Sequence, residues 1–486
     1  MIASEAVPWA KTGGLGDVVG ALPAALEALG HEITLVLPKY RGVAPERASV
    51  VPHHIRQGAV DRHFAWHVQD ISARRRVVFV ESPEAFERPG IYGERGVDYR
   101  DNAQRFDLLA LAALEFAARD QGAPFDVVHA HDWQTSLVLA RLASERRWGA
   151  LHEAGRVLTI HNLAYQGVFA RETIPALGLS WDLFRMESGE FWGQFSCLKA
   201  GITSADEVTT VSPTYADETR TRASGVGLEG VLRAKGDRYT GILNGIDTTV
   251  WNPATDVYLP VHFTIDDLSG KRFCKRALLE AFGLPCGDDA LNRPLIGMVS
   301  RLVAQKGLDL IERASHDLFE LDATYIFIGT GEPKYERLLR TMAANRPTRV
   351  AVRIGFDERL AHLVEAGSDM FLMPSEFEPC GLNQMYSLRY GTVPIVRAVG
   401  GLHDTVQQYT SRALNANGFK FHHGAPEVLV RTVQQAVRLY HNPDVWRKLI
   451  RNGMTADHSW RTSAGEYGKV YRRARATGGS RRVTTG

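Results

Sequence analysis

The sequence predicts an α/β protein of two domains, and three observations carry that prediction. The chain has 486 residues, more than one ordinary hydrophobic core organises. Short apolar runs such as EITLVLP, RVLTIHN, PLIGMVS, TYIFIGT and DMFLMPS end in glycine or polar loops and are followed by helix-length amphipathic stretches. That grammar, repeated in both halves, is the one that builds open parallel sheets, whose ligands sit at the carboxyl ends of the strands.

Composition narrows the function classes. Apolar residues make up 44% and charged residues 23%, and the formal net charge is +2, so charge gives no argument for nucleic acid or a membrane surface. No apolar run reaches spanning length, and MIASEAVPWAKTGG lacks the basic and apolar regions of a secretory signal. The four cysteines, Cys197, Cys274, Cys286 and Cys380, form no CxxC pair. This points to a reducing cytoplasm and away from zinc or disulfides.

Taken in order, the chain opens with a short strand, the glycine loop KTGGLGDV and an apolar helix. The glycines read GxGxxxG, and the next strand ends in Pro38-Lys39 where a ribose-binding acid is expected, so a dinucleotide site is set aside. Lys11, beside backbone donors, suits a phosphate, although a lone lysine is usually solvated. Residues 82–106 read as a long loop. PFDVVHAHDW then reads as a strand ending in His129, His131 and Asp132. An HxH at a strand end can bind a metal, but the further ligands of such folds do not follow. RVLTIHNLAYQG is another strand running into a loop. The turn signals of GILNGIDTTVWNP mark the passage into the second domain.

In the second half, SRLVAQKG places Arg301 and Lys306 on one strand-to-helix loop, where both can face one anion. The stretch SEFEPCGLNQMYSLRYGTVPIVRAVGGLHDTV is strand end, loop, helix, strand, loop, helix; it holds the acid Glu378 and the pair Gly400-Gly401. From Ala425 to about Ala476 the pattern is helical, and TGGSRRVTTG reads as a disordered tail. The predicted divisions are 1–245, 246–458, a helix over 459–476 that crosses back to the first domain, and a tail over 477–486.

Five signatures, KTGGLGDV, HNLAYQG, NGID, SRLxxQKG and EPCGLNQMYSLRYGTVPIV with its following GGL, occur in the same order as in bacterial glycogen synthases and plant starch synthases. The chain resembles that family over nearly its whole length. The resemblance implies a GT-B type glycosyltransferase, two Rossmann-like domains facing across a cleft that closes about residues 244–253. It implies a retaining glucosyltransferase that elongates α-1,4-glucan (glycogen) from ADP-glucose, with UDP-glucose, a small acceptor or a non-catalytic glucan scaffold as alternatives. It implies no metal or other cofactor.

The resemblance also distributes roles. Glu378, His161 and Asp132 are expected at the reacting sugar. Lys11, Gly13, Gly14, Arg301, Lys306, Phe356, Leu382 and Asn383 are expected on the nucleotide sugar, with Phe356 stacking on the base. Asn162, Asn244, Cys380, Gly381, Gly400 and Gly401 are expected on the sugar, and His129 is expected to be structural. Asn383, Phe356 and His403 depart from the family's usual Thr, Tyr and Ala or Arg. The first strand is shorter than usual, so Met1 is expected to be a truncated or misassigned start.

Overall fold

The computed structural model describes residues 1–120, 122 and 124–484. The chain divides into two compact units, 1–245 together with the C-terminal helix, and Ile246–Ser459.

The second unit is built on a six-stranded sheet in the order Val350–Ile354, Thr324–Gly329, Leu295–Val299, Met370–Met373, Val393–Arg397, Phe419–Phe421. Every neighbouring pair is parallel. In chain order this is 3-2-1-4-5-6, the doubly wound arrangement, and the order reverses between Leu295–Val299 and Met370–Met373. Both of those strands are apolar and buried nearly throughout, as a sheet covered by helices on both faces requires. Helices such as Leu308–Leu318 and Glu358–Gly367 supply those covers; the latter is capped by Asp357, whose side chain accepts the Leu360 N–H at 2.9 Å.

The first unit has two four-stranded sheets. One is parallel: Tyr239–Gly241, Glu207–Thr210, Gly155–Ile160, Val127–His131. The other runs Ile33–Pro38, Arg75–Glu81, Val60–Asp70, Ser49–Gln57, parallel only at its first pair. Ile2 forms parallel bridges to both Val36 and Ala130. The opening residues therefore lie between the two sheets and join them, so the short first strand is flanked on both sides. Here too the order reverses, at Ile2, beside the carboxyl end of Val127–His131.

The region read as one loop over 82–106 contains a helical turn, Pro83–Phe86, a small hairpin and the start of the helix Asn102–Arg119. The antiparallel hairpin Ser49–Gln57 and Val60–Asp70 was not among the expected elements. At the C-terminus one helix spans Trp460–Thr484. Over 477–484 it replaces the expected disordered tail, because a helix already anchored by Trp460, Tyr467 and Tyr471 in the core propagates at little cost. Residues 485–486 of that expectation lie outside the described residues. Among the described residues no helix is long and apolar enough to cross a membrane.

Candidate active site

In the second unit, the loops leaving the two strands at the reversal carry the predicted charged groups. The Glu378 side chain is buried, and its Oε2 accepts from Lys306 Nζ at 2.6 Å and from Ser375 Oγ at 2.9 Å. A buried carboxylate needs such partners. The loops are tied together by the backbone: Glu376 N donates to Gln305 O at 2.8 Å, and Gln305 Nε2 to Phe377 O at 3.1 Å. Asn383 Nδ2 reaches the carbonyl of Val299 at 3.1 Å. Arg301 is exposed at the end of the strand that leads to Lys306.

The glycine pair has a steric reason. Gly400 adopts φ +43°, and a Cβ there would stand 2.0 Å from the carbonyl oxygen of Glu378; at Gly401 it would stand 2.1 Å from that of Cys380. Gly401 N donates to Glu378 O at 3.1 Å. The pair thus clamps the acid loop by backbone contact, which only glycine permits. Gly381, at φ +70°, makes the turn between buried Cys380 and Leu382, which precedes the helix Asn383–Arg389. Phe356 is 71% exposed just beyond Val350–Ile354. At that exposure the ring is open to a ligand.

In the first unit Asp132, His161 and Asn162 meet at the carboxyl end of Val127–His131. Asp132 begins the helix Asp132–Ser144 and is held at φ +56°, a backbone conformation that costs a non-glycine residue on the order of 1–2 kcal/mol. Its Oδ1 accepts the His161 N–H at 2.7 Å, and the Asn162 N–H also bonds the carboxylate. Burial raises its pKa to about 7, with those two N–H groups pulling the other way. The His161 ring is joined to His131 (Nε2 to Nδ1, 3.0 Å), and burial lowers its pKa to about 3. His129 bonds Tyr471 OH at 2.8 Å and Thr159 Oγ1 at 2.7 Å, so both its nitrogens are taken inside the core. Burial holds His129 and His131 well below the usual histidine value.

Lys11 lies in the loop before the helix Gly14–Ala28, whose cap is Gly13; its Nζ pairs with Asp17 at 2.6 Å, and the side chain is 46% exposed. Asn244 is buried, and its Oδ1 has no partner among the described residues. Three roles are not expected from the sequence. Buried Glu5 accepts from Thr12 Oγ1 at 2.7 Å and also holds Thr12 N and Tyr92 OH, so it fixes the KTGG loop. Ser375 steadies Glu378, and His131 contacts His161. An acid at position 5 carries no signature in the sequence; only the pairing of Ile2 with two strands brings it under the loop.

The starch synthase catalytic domain model matches residues 1–234, and the glycosyl transferases group 1 model matches 288–453. The chain is 49% identical to the glycogen synthase of Anaeromyxobacter sp. (strain Fw109-5), over 97% of this chain and 98% of that protein. It is 45% identical to that of Koribacter versatilis (strain Ellin345), over 97% of each. Among solved structures it is similar to the catalytic domain of starch synthase IV from Arabidopsis thaliana bound to ADP and acarbose, with TM-score 0.88, 34% identity and 98% of both chains covered. A sucrose-phosphate synthase from Thermosynechococcus elongatus, at 18% identity and TM-score 0.61, shares the fold over 98% of both chains. The chain belongs to the glycogen and starch synthase family of GT-B glycosyltransferases.

Proposed function

We propose that the chain is a retaining glucosyltransferase that lengthens α-1,4-glucan by moving glucose from ADP-glucose to the non-reducing end of glycogen. The observation that carries this is the Lys306–Glu378–Ser375 cluster, with Arg301, at the order reversal of the second sheet, in a chain of this family.

The chemistry follows from the groups. When the nucleoside diphosphate leaves, negative charge grows on its pyrophosphate, and Arg301, Lys306 and Lys11 are the cations assigned to it. In a water-excluded site, each such group is worth about 3–4 kcal/mol of barrier. Lysine and arginine supply the neutralising charge, so the reaction requires no metal. Glu378 and the Gly400-Gly401 backbone hold the glucose hydroxyls together with Cys380, Gly381 and Asn162. The anomeric carbon becomes oxocarbenium-like beside His161 and Asp132 as its bond to the phosphate oxygen breaks, and the acceptor hydroxyl attacks from the face the leaving phosphate vacates, giving its proton to that phosphate. Phe356 stacks on the base, and Leu382 and Asn383 present backbone donors to the phosphates. The protein works in the cytoplasm on soluble glucan.

The test is glucan growth on glycogen with ADP-glucose or UDP-glucose, each with and without a chelator. Transfer from ADP-glucose that survives the chelator supports the reading. Preference for UDP-glucose changes the donor, and glycogen binding without transfer from either sinks the enzymatic reading.

A further inference from the structure

His131 lies one shell behind the groups assigned to the sugar, and no signature gives it a role. It is fully buried. Its Nδ1 is 3.0 Å from His161 Nε2, while its own Nε2 is buried and has no partner among the described residues. The ring packs against His129 with centroids 4.2 Å apart, and His129 is pinned at both nitrogens by Tyr471 and Thr159. His131 is therefore held in place from behind.

Between two neutral imidazoles, a nitrogen-to-nitrogen hydrogen bond needs one donor and one acceptor. If His131 carried its proton on Nε2, an N–H would be buried with nothing to accept it, the rarer and costlier kind of orphan. Protonation on Nδ1 leaves only a lone pair unpaired and makes His131 the donor. His161 Nε2 must then accept, and its own proton must sit on Nδ1. That nitrogen hydrogen-bonds nothing among the described residues, and the residue is partly open to solvent.

We infer that His131 is a positioning residue: it donates from Nδ1 to His161 Nε2 and thereby fixes His161 as the Nδ1–H tautomer, a hydrogen-bond donor presented to the open side of the site. Such a donor suits a hydroxyl oxygen of the donor sugar. This last point rests on the proposed function; the tautomer assignment does not.

The experiment is long-range proton–nitrogen NMR of the histidine side chains in the full chain, assigned with His161→Gln and His131→Asn variants. Nδ1–H on both residues in the wild type supports the inference, and Nε2–H on His161 overturns it whatever the activity. Kinetics supplies the second reading. His131→Leu should lower kcat about tenfold, the order expected for a lost buried hydrogen bond, and leave the KM for ADP-glucose nearly unchanged. His131→Asn, whose amide N–H stands roughly where Nδ1–H stood, should restore most of the rate. Equal rates in the Leu and Asn variants, both folded by thermal melting, would reduce His131 to a packing residue. A His131→Leu that fails to fold leaves the NMR assignment and the Asn variant to decide.

Discussion

The two units build their sites at the same topological place and from opposite chemistry. In the second unit the carboxyl ends of Leu295–Val299 and Met370–Met373 carry Arg301, Lys306 and Glu378, with a buried ion pair at 2.6 Å. In the first, the carboxyl end of Val127–His131 carries imidazoles that burial keeps neutral and a carboxyl raised to about 7. Lys11, the cation there, is half exposed and paired with Asp17. The contrast fits a division of work under the proposed function: the second unit carries Arg301 and Lys306 for the leaving diphosphate and Glu378 for the glucose hydroxyls, and the first, apart from Lys11, meets the reacting sugar with neutral hydrogen-bonding groups.

The largest effect that would break this contrast is expected at Glu378. Glu378→Ala should cut transfer about 100- to 1000-fold, because the sugar loses its acid and Lys306 loses its partner. A variant with near wild-type steady-state rates would remove the second unit's claim. Next is the glycine clamp. Gly400→Ala places a Cβ 2.0 Å from the carbonyl oxygen of Glu378 at φ +43°, a strain on the order of 2 kcal/mol; thermal melting should show a fall of a few degrees together with lost activity. Asp132→Asn should cost less, about tenfold in kcat. Asparagine tolerates the positive φ and keeps one acceptor for His161 N, so an unchanged kcat would show that the carboxylate charge has no part.

The smallest effect is in acid. His161 is lowered to about 3 from about 6.5 in an unfolded chain. Between those values the unfolded state binds a proton the folded state does not, so stability rises with pH there and falls as acid is added. His129 and His131 act in the same direction. Asp132, raised to about 7, opposes them, since it stabilises the fold at low pH and loses that contribution as pH rises through its folded value. The three imidazoles and the buried Met1 amino group, lowered to about 5, act against Asp132 and the buried Glu365, raised to about 8, so the melting temperature should fall as pH drops below about 6.5, and less steeply in His161→Gln. An equal slope in that variant would remove His161 from the account.

Much of this was legible in the sequence because strand-end loops are local. Arg301, Lys306 and Glu378 stand on loops whose flanking apolar runs declare the strands, and the glycine pair declares a close approach. Asp132 and His161 likewise follow recognisable runs. Of what escaped, Ser375 is local, three residues from Glu378, and the rest depends on long-range pairing. Glu5 meets Thr12 and Tyr92 only because Ile2 bridges Val36 and Ala130, and His131 meets His161 only because Val127–His131 pairs with Gly155–Ile160. The hairpin of residues 49–70 hid behind charged and histidine-rich strands, and the terminal helix behind a composition rich in glycine that anchored aromatic residues override.

The most direct test of the division between the units sets Lys306→Ala beside Asp132→Asn and measures ADP affinity by calorimetry and kcat by glucan growth. The account predicts that Lys306→Ala weakens ADP binding as well as the rate, whereas Asp132→Asn lowers kcat with ADP affinity unchanged. If Asp132→Asn weakens ADP as much as Lys306→Ala does, the separation of charge from orientation is wrong.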